Sequence, residues 1–262
     1  MKPIVDIAVP LCTVLLLTAV GLDLTTADFG PVRRQPRILA IGLFTPALVL
    51  PLVALALVRT FAVPSAQAAG LLLVAVCPIG GISNTYSYLA RATTALSVSL
   101  TGLSCLLAGI TVPLLTRLFE AVLGWPLGFD APLGVLMMQL VGMLGIPVGL
   151  GMAIRKRWPR FAGRHRGVIR RAAFGVLALL IVVVIWTQFN AFLGGLTSTV
   201  PLAATFITLS FAVGWVAATI GRASRRDRFT LAAEFATRNV AGATALAVTL
   251  LKRTDLAVFA VT

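Results

Sequence analysis

Eight stretches of this chain stay apolar for close to 20 residues at a time, and runs of that length leave few folds open. They lie near Val5 to Leu22, Ile38 to Leu57, Ala66 to Ala90, Thr94 to Phe119, Leu133 to Ile154, Ala172 to Leu193, Val200 to Ile220 and Phe229 to Leu251. In hydrocarbon every backbone amide and carbonyl must be satisfied within the protein, which admits helices or closed barrels. Barrel strands would read as alternating segments of about ten residues, whereas these runs are continuously apolar. The sequence therefore predicts an all-α polytopic membrane protein. Charged residues make up only 11% of the 262, against about 25% in a soluble domain. Loops are short throughout, which predicts one transmembrane domain over residues 1–262. A ninth apolar run opens at Leu256 and stops at Thr262. As helix it rises only about 10 Å, a third of the hydrocarbon core, so a further C-terminal helix is expected to lie beyond it. Lys2 and the first run imitate a signal peptide, but no small-residue cleavage site follows Leu22. The first run is read as a mature span.

A net charge of +14 raises the question of nucleic acid. The basic residues sit in short loops rather than on one folded face, and no soluble module is present to carry such binding. The positive-inside rule explains them better. An outside N-terminus puts Arg33, Arg34, Arg37, Arg91, the run from Arg155 to Arg171, Arg222, Arg225, Arg226 and Arg228 in the cytoplasm. Lys2, Arg59, Arg117, Lys252 and Arg253 fall outside, and Arg238 falls within the membrane. The expected location is the plasma (inner) membrane, with the Arg155 to Arg171 loop, which includes His165, against anionic lipid headgroups. Cys12, Cys77 and Cys105 lie in apolar spans without paired spacing, so they read as small buried hydrophobes. No nucleophile–base–acid set or metal-ligand spacing points to an enzyme or a resident cofactor.

Two polar interruptions stand out. Cys77-Pro78-Ile79-Gly80-Gly81-Ile82-Ser83-Asn84 breaks the third run, and Glu234-Phe235-Ala236-Thr237-Arg238-Asn239 lies in the eighth. Irregular backbone at that depth must be buried in protein or line a watery cavity. Pro78 removes a donor, and Gly80 and Gly81 lower the cost of non-helical angles. The helix is expected to end near Cys77 and restart near Ser83, with Ser83 and Asn84 in cap position. A proline kink whose Ser and Asn satisfy neighbouring carbonyls is the plainer alternative. Ser97 and Thr101, four apart, share a helix face. They read as packing residues or, with Ser83 and Asn84, as a set of hard oxygens suited to an alkali cation. Glu234, the one acidic residue deep in a span, needs a cation. Arg238, one turn on, is the expected partner on the same helix face, and the pair reads as functional or as a structural ion pair. The two interrupted spans are five apart and so cross in opposite directions, as in an inverted repeat.

These blocks, with Tyr88-Leu89-Ala90-Arg91, Ala95 to Thr101, and Gly21-Leu22-Asp23-Leu24-Thr25 before Asp28-Phe29, resemble the bile acid:sodium symporter family across nearly the whole chain. The resemblance implies an inverted-repeat transporter with panel and core subdomains and two discontinuous helices that cross. It implies transport of an organic anion, such as a bile acid or small carboxylate, with sodium. The chain begins at what looks like the second of the ten helices of the bacterial form, in keeping with an outside N-terminus.

Carried over residue by residue, the family's first sodium site falls on Ser83, Asn84, Ser97, Thr101 and Glu234. Its second site uses glutamines where this chain has Pro46 and Arg238, which implies that the Arg238 guanidinium replaces the second sodium and leaves one coupled ion. Arg238 and Asn239, with the half-helix ends, would line the place of an organic anion. The reading is a sodium-coupled symporter working by alternating access. Its rivals are a sodium-independent or proton-coupled carrier with Glu234 satisfied by Arg238, and a non-transporting scaffold or sensor.

Overall fold

The computed structural model describes residues 14, 15, 17–22, 35–61, 63–123, 134, 137, 138, 141–187 and 189–247. Cys12, Asp28, Phe29, the N-terminal part of the first run, the start of the fifth, the end of the eighth and the ninth from Leu256 lie outside the described residues.

Among them the chain is helical throughout and has no β-strand. Residues 17–22 are helical. Then come α1 (Pro36–Phe61), α2 (Ser65–Val76), α3 (Ser83–Leu89), α4 (Thr94–Leu123), a π-helical turn (Val141–Gly145) running into α5 (Ile146–Arg157), α6 (Pro159–Thr187), α7 (Phe189–Ile220), α8 (Arg225–Ala236) and α9 (Val240–Ala245). Among the described residues three helices are long and apolar enough to cross a membrane, over Pro36–Phe61, Thr94–Ala121 and Thr197–Ile220. At 1.5 Å per residue, 26 residues of α1 reach about 39 Å, beyond the roughly 30 Å hydrocarbon core.

The expected spans over α1 and α4 are present with ends a few residues longer. Two boundaries differ. The run from Arg155 to Arg171, expected as a loop, is helical apart from Trp158, whose backbone (φ −131, ψ 68) separates α5 from α6. Arg and Lys are good helix formers, so charge alone did not mark a loop. Pro159 at the first position of α6 supplies an amide-free helix start. The sixth and seventh runs, expected to part between Leu193 and Val200, lie instead in α6 and α7, and α7 continues through that stretch with Pro201 inside it.

The third and eighth runs are each split in two, as expected. α8 packs against α7 most extensively and also against α1, α3 and α4, while α3 and α4 pack on each other. Gly214 lets α7 approach the backbone of α8 at Leu231 and Ala232, the small-residue contact by which membrane helices pack closely. Gly21 and Gly151 make a similar crossing between the 17–22 segment and α5, where a Cβ on either would strike the other's backbone. Arg155 Nη1 donates to the Leu22 carbonyl at 3.2 Å beside that crossing. The buried hydrophobic core is continuous from α1 and α2 through α4 to α8, so α8 carries its polar residues into the interior.

Candidate functional site

The first break begins where Pro78, lacking an amide hydrogen, cannot continue α2. Cys77 turns to extended backbone (φ −60, ψ 154), and helix resumes at Ser83. The second begins where Thr237 turns to φ −107, ψ 97 after Ala236, and helix resumes at Val240. The two breaks lie against each other. Ile79 and Arg238 form an isolated antiparallel bridge. The Gly80 amide donates to the Thr237 carbonyl and the Asn239 amide to the Pro78 carbonyl, each at 2.9 Å. Free backbone groups are thus satisfied mutually, which an irregular segment inside a membrane requires. Gly80 is needed there, since a Cβ would stand 2.6 Å from the Arg238 carbonyl oxygen.

Cap positions differ from expectation. Ile82, not Ser83, is the N-cap of α3, and no side chain caps it. Ser83 is the first helical residue, and its Oγ donates back to the Gly80 carbonyl at 2.8 Å. This frees Asn84 to turn toward α4.

Ser83, Asn84, Ser97, Thr101 and Glu234 come together at the junction of α3, α4 and α8. Ser97 Oγ is in hydrogen-bond contact with Glu234 Oε1 and lies 2.8 Å from Asn84 Oδ1. Thr101 Oγ1 lies 3.1 Å from Glu234 Oε2, 3.3 Å from Asn84 Oδ1 and 3.5 Å from Ser83 Oγ. Glu234, Ser83 and Ser97 have no exposure and Thr101 has 1%. The proton balance is unequal. The Ser83 proton is directed to the Gly80 carbonyl, which leaves the two hydroxyl protons of Ser97 and Thr101 to face the two carboxylate oxygens and Asn84 Oδ1. Ser97 and Thr101 each have one proton for two acceptors. A buried centre with more lone pairs than protons is short of positive charge.

Arg238 does not supply that charge by pairing. Because the helix stops at Ala236, the one-turn relation between Glu234 and Arg238 is lost. Arg238 Nη2 donates instead to the Ala75 carbonyl at 3.0 Å and to the Cys77 carbonyl. These are the orphan carbonyls at the negative end of α2, a natural place for a cation. Among the described residues an ion pair joins Arg117 to Glu120 at 3.2 Å, and Glu234 has none. Arg238 is 8% exposed, and its Nε and Nη1 are buried without a partner among the described residues.

Asn239 is the N-cap of α9, its Oδ1 accepting from the Gly242 amide at 2.8 Å. Pro46 and Arg238, distant in sequence, line one cavity together with Ser104. Sequence reasoning passed over Ser104, whose Oγ accepts from the Ile79 amide at 3.1 Å and donates to the Thr101 carbonyl at 2.9 Å. It fastens the first break to α4. The signal was present: Ser97, Thr101 and Ser104 are spaced four and three apart, along one helix face.

The fold and site define a polytopic helical membrane protein with two broken helices in mutual contact and a buried, oxygen-rich centre beside them. Residues 10–194 match the Sodium Bile acid symporter family, and the chain belongs to it. Glu234 and Arg238 lie past the matched residues. The chain is 31% identical to sodium/bile acid cotransporter 4 of Mus musculus over 243 residues, covering 88% of this chain and 54% of that protein. It is 39% identical over 105 residues to YocS of Bacillus subtilis, an uncharacterized sodium-dependent transporter, covering 40% and 33% respectively. A probable chloroplastic sodium/metabolite cotransporter, BASS2 of Oryza sativa subsp. japonica, is 32% identical over 150 residues, covering 57% and 34%. The chain spans about half or less of the length of these curated relatives.

Proposed function

We propose that this chain is a secondary active carrier that moves an organic anion together with sodium by alternating access. Ser83, Asn84, Ser97, Thr101 and Glu234 bind the sodium. The observation that carries this reading is the acceptor excess around buried Glu234, whose nearest side-chain partners are oxygens. A bare alkali cation has the charge and the preference for hard oxygen that such a centre lacks. Sodium arriving there neutralises Glu234 and draws α3, α4 and α8 together. The anion then docks beside Arg238 and Asn239 on the second break. Because Arg238 holds the α2 carbonyls as a tethered cation, one sodium accompanies each anion.

In this reading residues 1–262 form a single transmembrane domain, arranged as an inverted repeat with panel and core subdomains. It sits in the inner membrane with its N-terminus outside and its basic residues near anionic headgroups. This reading is favoured over a carrier in which Arg238 permanently satisfies Glu234 by the direction of the guanidinium, to the Ala75 and Cys77 carbonyls.

The deciding experiment is uptake into proteoliposomes, screening small carboxylates and amphipathic anions under inward sodium or potassium gradients. The expected result is uptake that requires sodium and disappears in Glu234→Ala. Uptake indifferent to the cation and to Glu234→Ala would overturn the reading.

A further inference from the structure

The cavity that Arg238 lines lies between α1 and α4 and is walled by Leu43, Phe44 and Ala47 on one side and Leu107 and Thr111 on the other. Its volume is about 50 Å³. One water needs roughly 10–15 Å³ on this measure, so the space holds a carboxylate with a carbon or two and no ring system. Its hydroxyls are engaged elsewhere: Thr111 donates to the Leu107 carbonyl at 3.3 Å, and Ser104 serves Ile79 and Thr101. The guanidinium is therefore the polar group with unmet capacity, two of its nitrogens being without a partner among the described residues. Phe44 is 62% exposed and Leu107 36%. Both stand on helices long and apolar enough to cross a bilayer, so this rim offers an apolar surface that suits an acyl chain better than water.

A buried cation with unpartnered donors, a chamber beside it sized for a small anionic head and an apolar rim fit one chemistry. We infer that this cavity binds the carboxylate of a single-chain amphiphile, which enters between α1 and α4 with its head at Arg238 and its chain along Phe44 in the bilayer. The inference rests on the anion half of the proposed function; sodium at Glu234 tightens this site without being needed to form it, so the two halves fail separately.

The test is binding of radiolabelled dodecanoate to the purified full chain in nanodiscs of zwitterionic lipid, in sodium-free potassium buffer. Failure of the sodium reading would leave this measurement untouched. Acetate tests for a free anion from water, and dodecanol tests for adhesion of the chain alone. The expected result is saturable dodecanoate binding at least tenfold tighter than either. Ala47→Met, which fills the cavity and leaves Arg238 in place, should weaken it at least tenfold without changing the unfolding temperature. Arg238→Lys, which keeps the charge, should retain part of it. Acetate binding as tightly as dodecanoate, dodecanol competing equally, or Ala47→Met binding like the parent would each overturn the proposal.

Discussion

Glu234, without exposure and without an ion pair among the described residues, is stabilised by hydroxyls that have too few protons to go round. Removing one oxygen ligand while keeping its shape isolates the cation's share of that balance. Thr101→Val should raise the sodium concentration for half-maximal uptake about tenfold, equivalent to roughly 1.4 kcal/mol, with maximal rate retained. Thr116→Val is the control, because the Thr116 hydroxyl donates to the Val112 carbonyl at 2.8 Å, away from the site. A sodium titration of uptake checks both. On the proposed single-ion coupling, Arg238→Gln should steepen the sodium dependence or raise the measured sodium-to-anion ratio. At this scale the sequence was readable where spacing alone mattered. Ser97 and Thr101 face together because four residues make a turn of an unbroken helix. The same rule failed for Glu234 and Arg238, because it presumes helix through Thr237, and no residue in that segment announces the break as Pro78 does.

Helix ends decide how these residues are presented. α8 begins with Ser224 accepting from the Asp227 amide at 3.1 Å while its hydroxyl meets Asp227 Oδ2 at 2.7 Å, so a single short side chain sets where α8 starts and in which register Glu234 arrives. Ser224→Ala should lower stability by about 1 kcal/mol, read as a drop in the thermal unfolding midpoint of detergent-solubilised protein. Gly80→Ala should cost about 1–3 kcal/mol, since its Cβ meets backbone rather than a movable side chain. Breaks carrying Pro and Gly were legible; so was α1, whose apolar run is uninterrupted by charge. The helicity of the Arg155 to Arg171 stretch was not, because composition reports what a segment touches more than how its backbone turns. Ser224-Arg225-Arg226-Asp227 was the cap pattern that fixes the true start of α8, four residues before the apolar run begins.

The molecule as a whole carries its positive charge unevenly along the chain, and the proposed orientation follows from that. A cysteine introduced at Arg164 should react with an impermeant thiol reagent only from the cytoplasmic side, and one at Arg59 only from outside. Cys77 and Cys105 are buried, and Cys12→Ser removes the third native thiol. The reverse pattern would invert the topology. One consequence reaches across the entire chain. Residues 78–80 and 237–239 hold each other through peptide amides and carbonyls, not through what their side chains are. A scan that replaces side chains with alanine at Thr237 or Asn239 spares those particular bonds, and the seam would escape notice. Proline is the substitution that reveals it: deleting the amide hydrogen at position 80 or 239 unfastens two segments some 160 positions apart, while an equally bulky leucine at 239 leaves that amide bond in place.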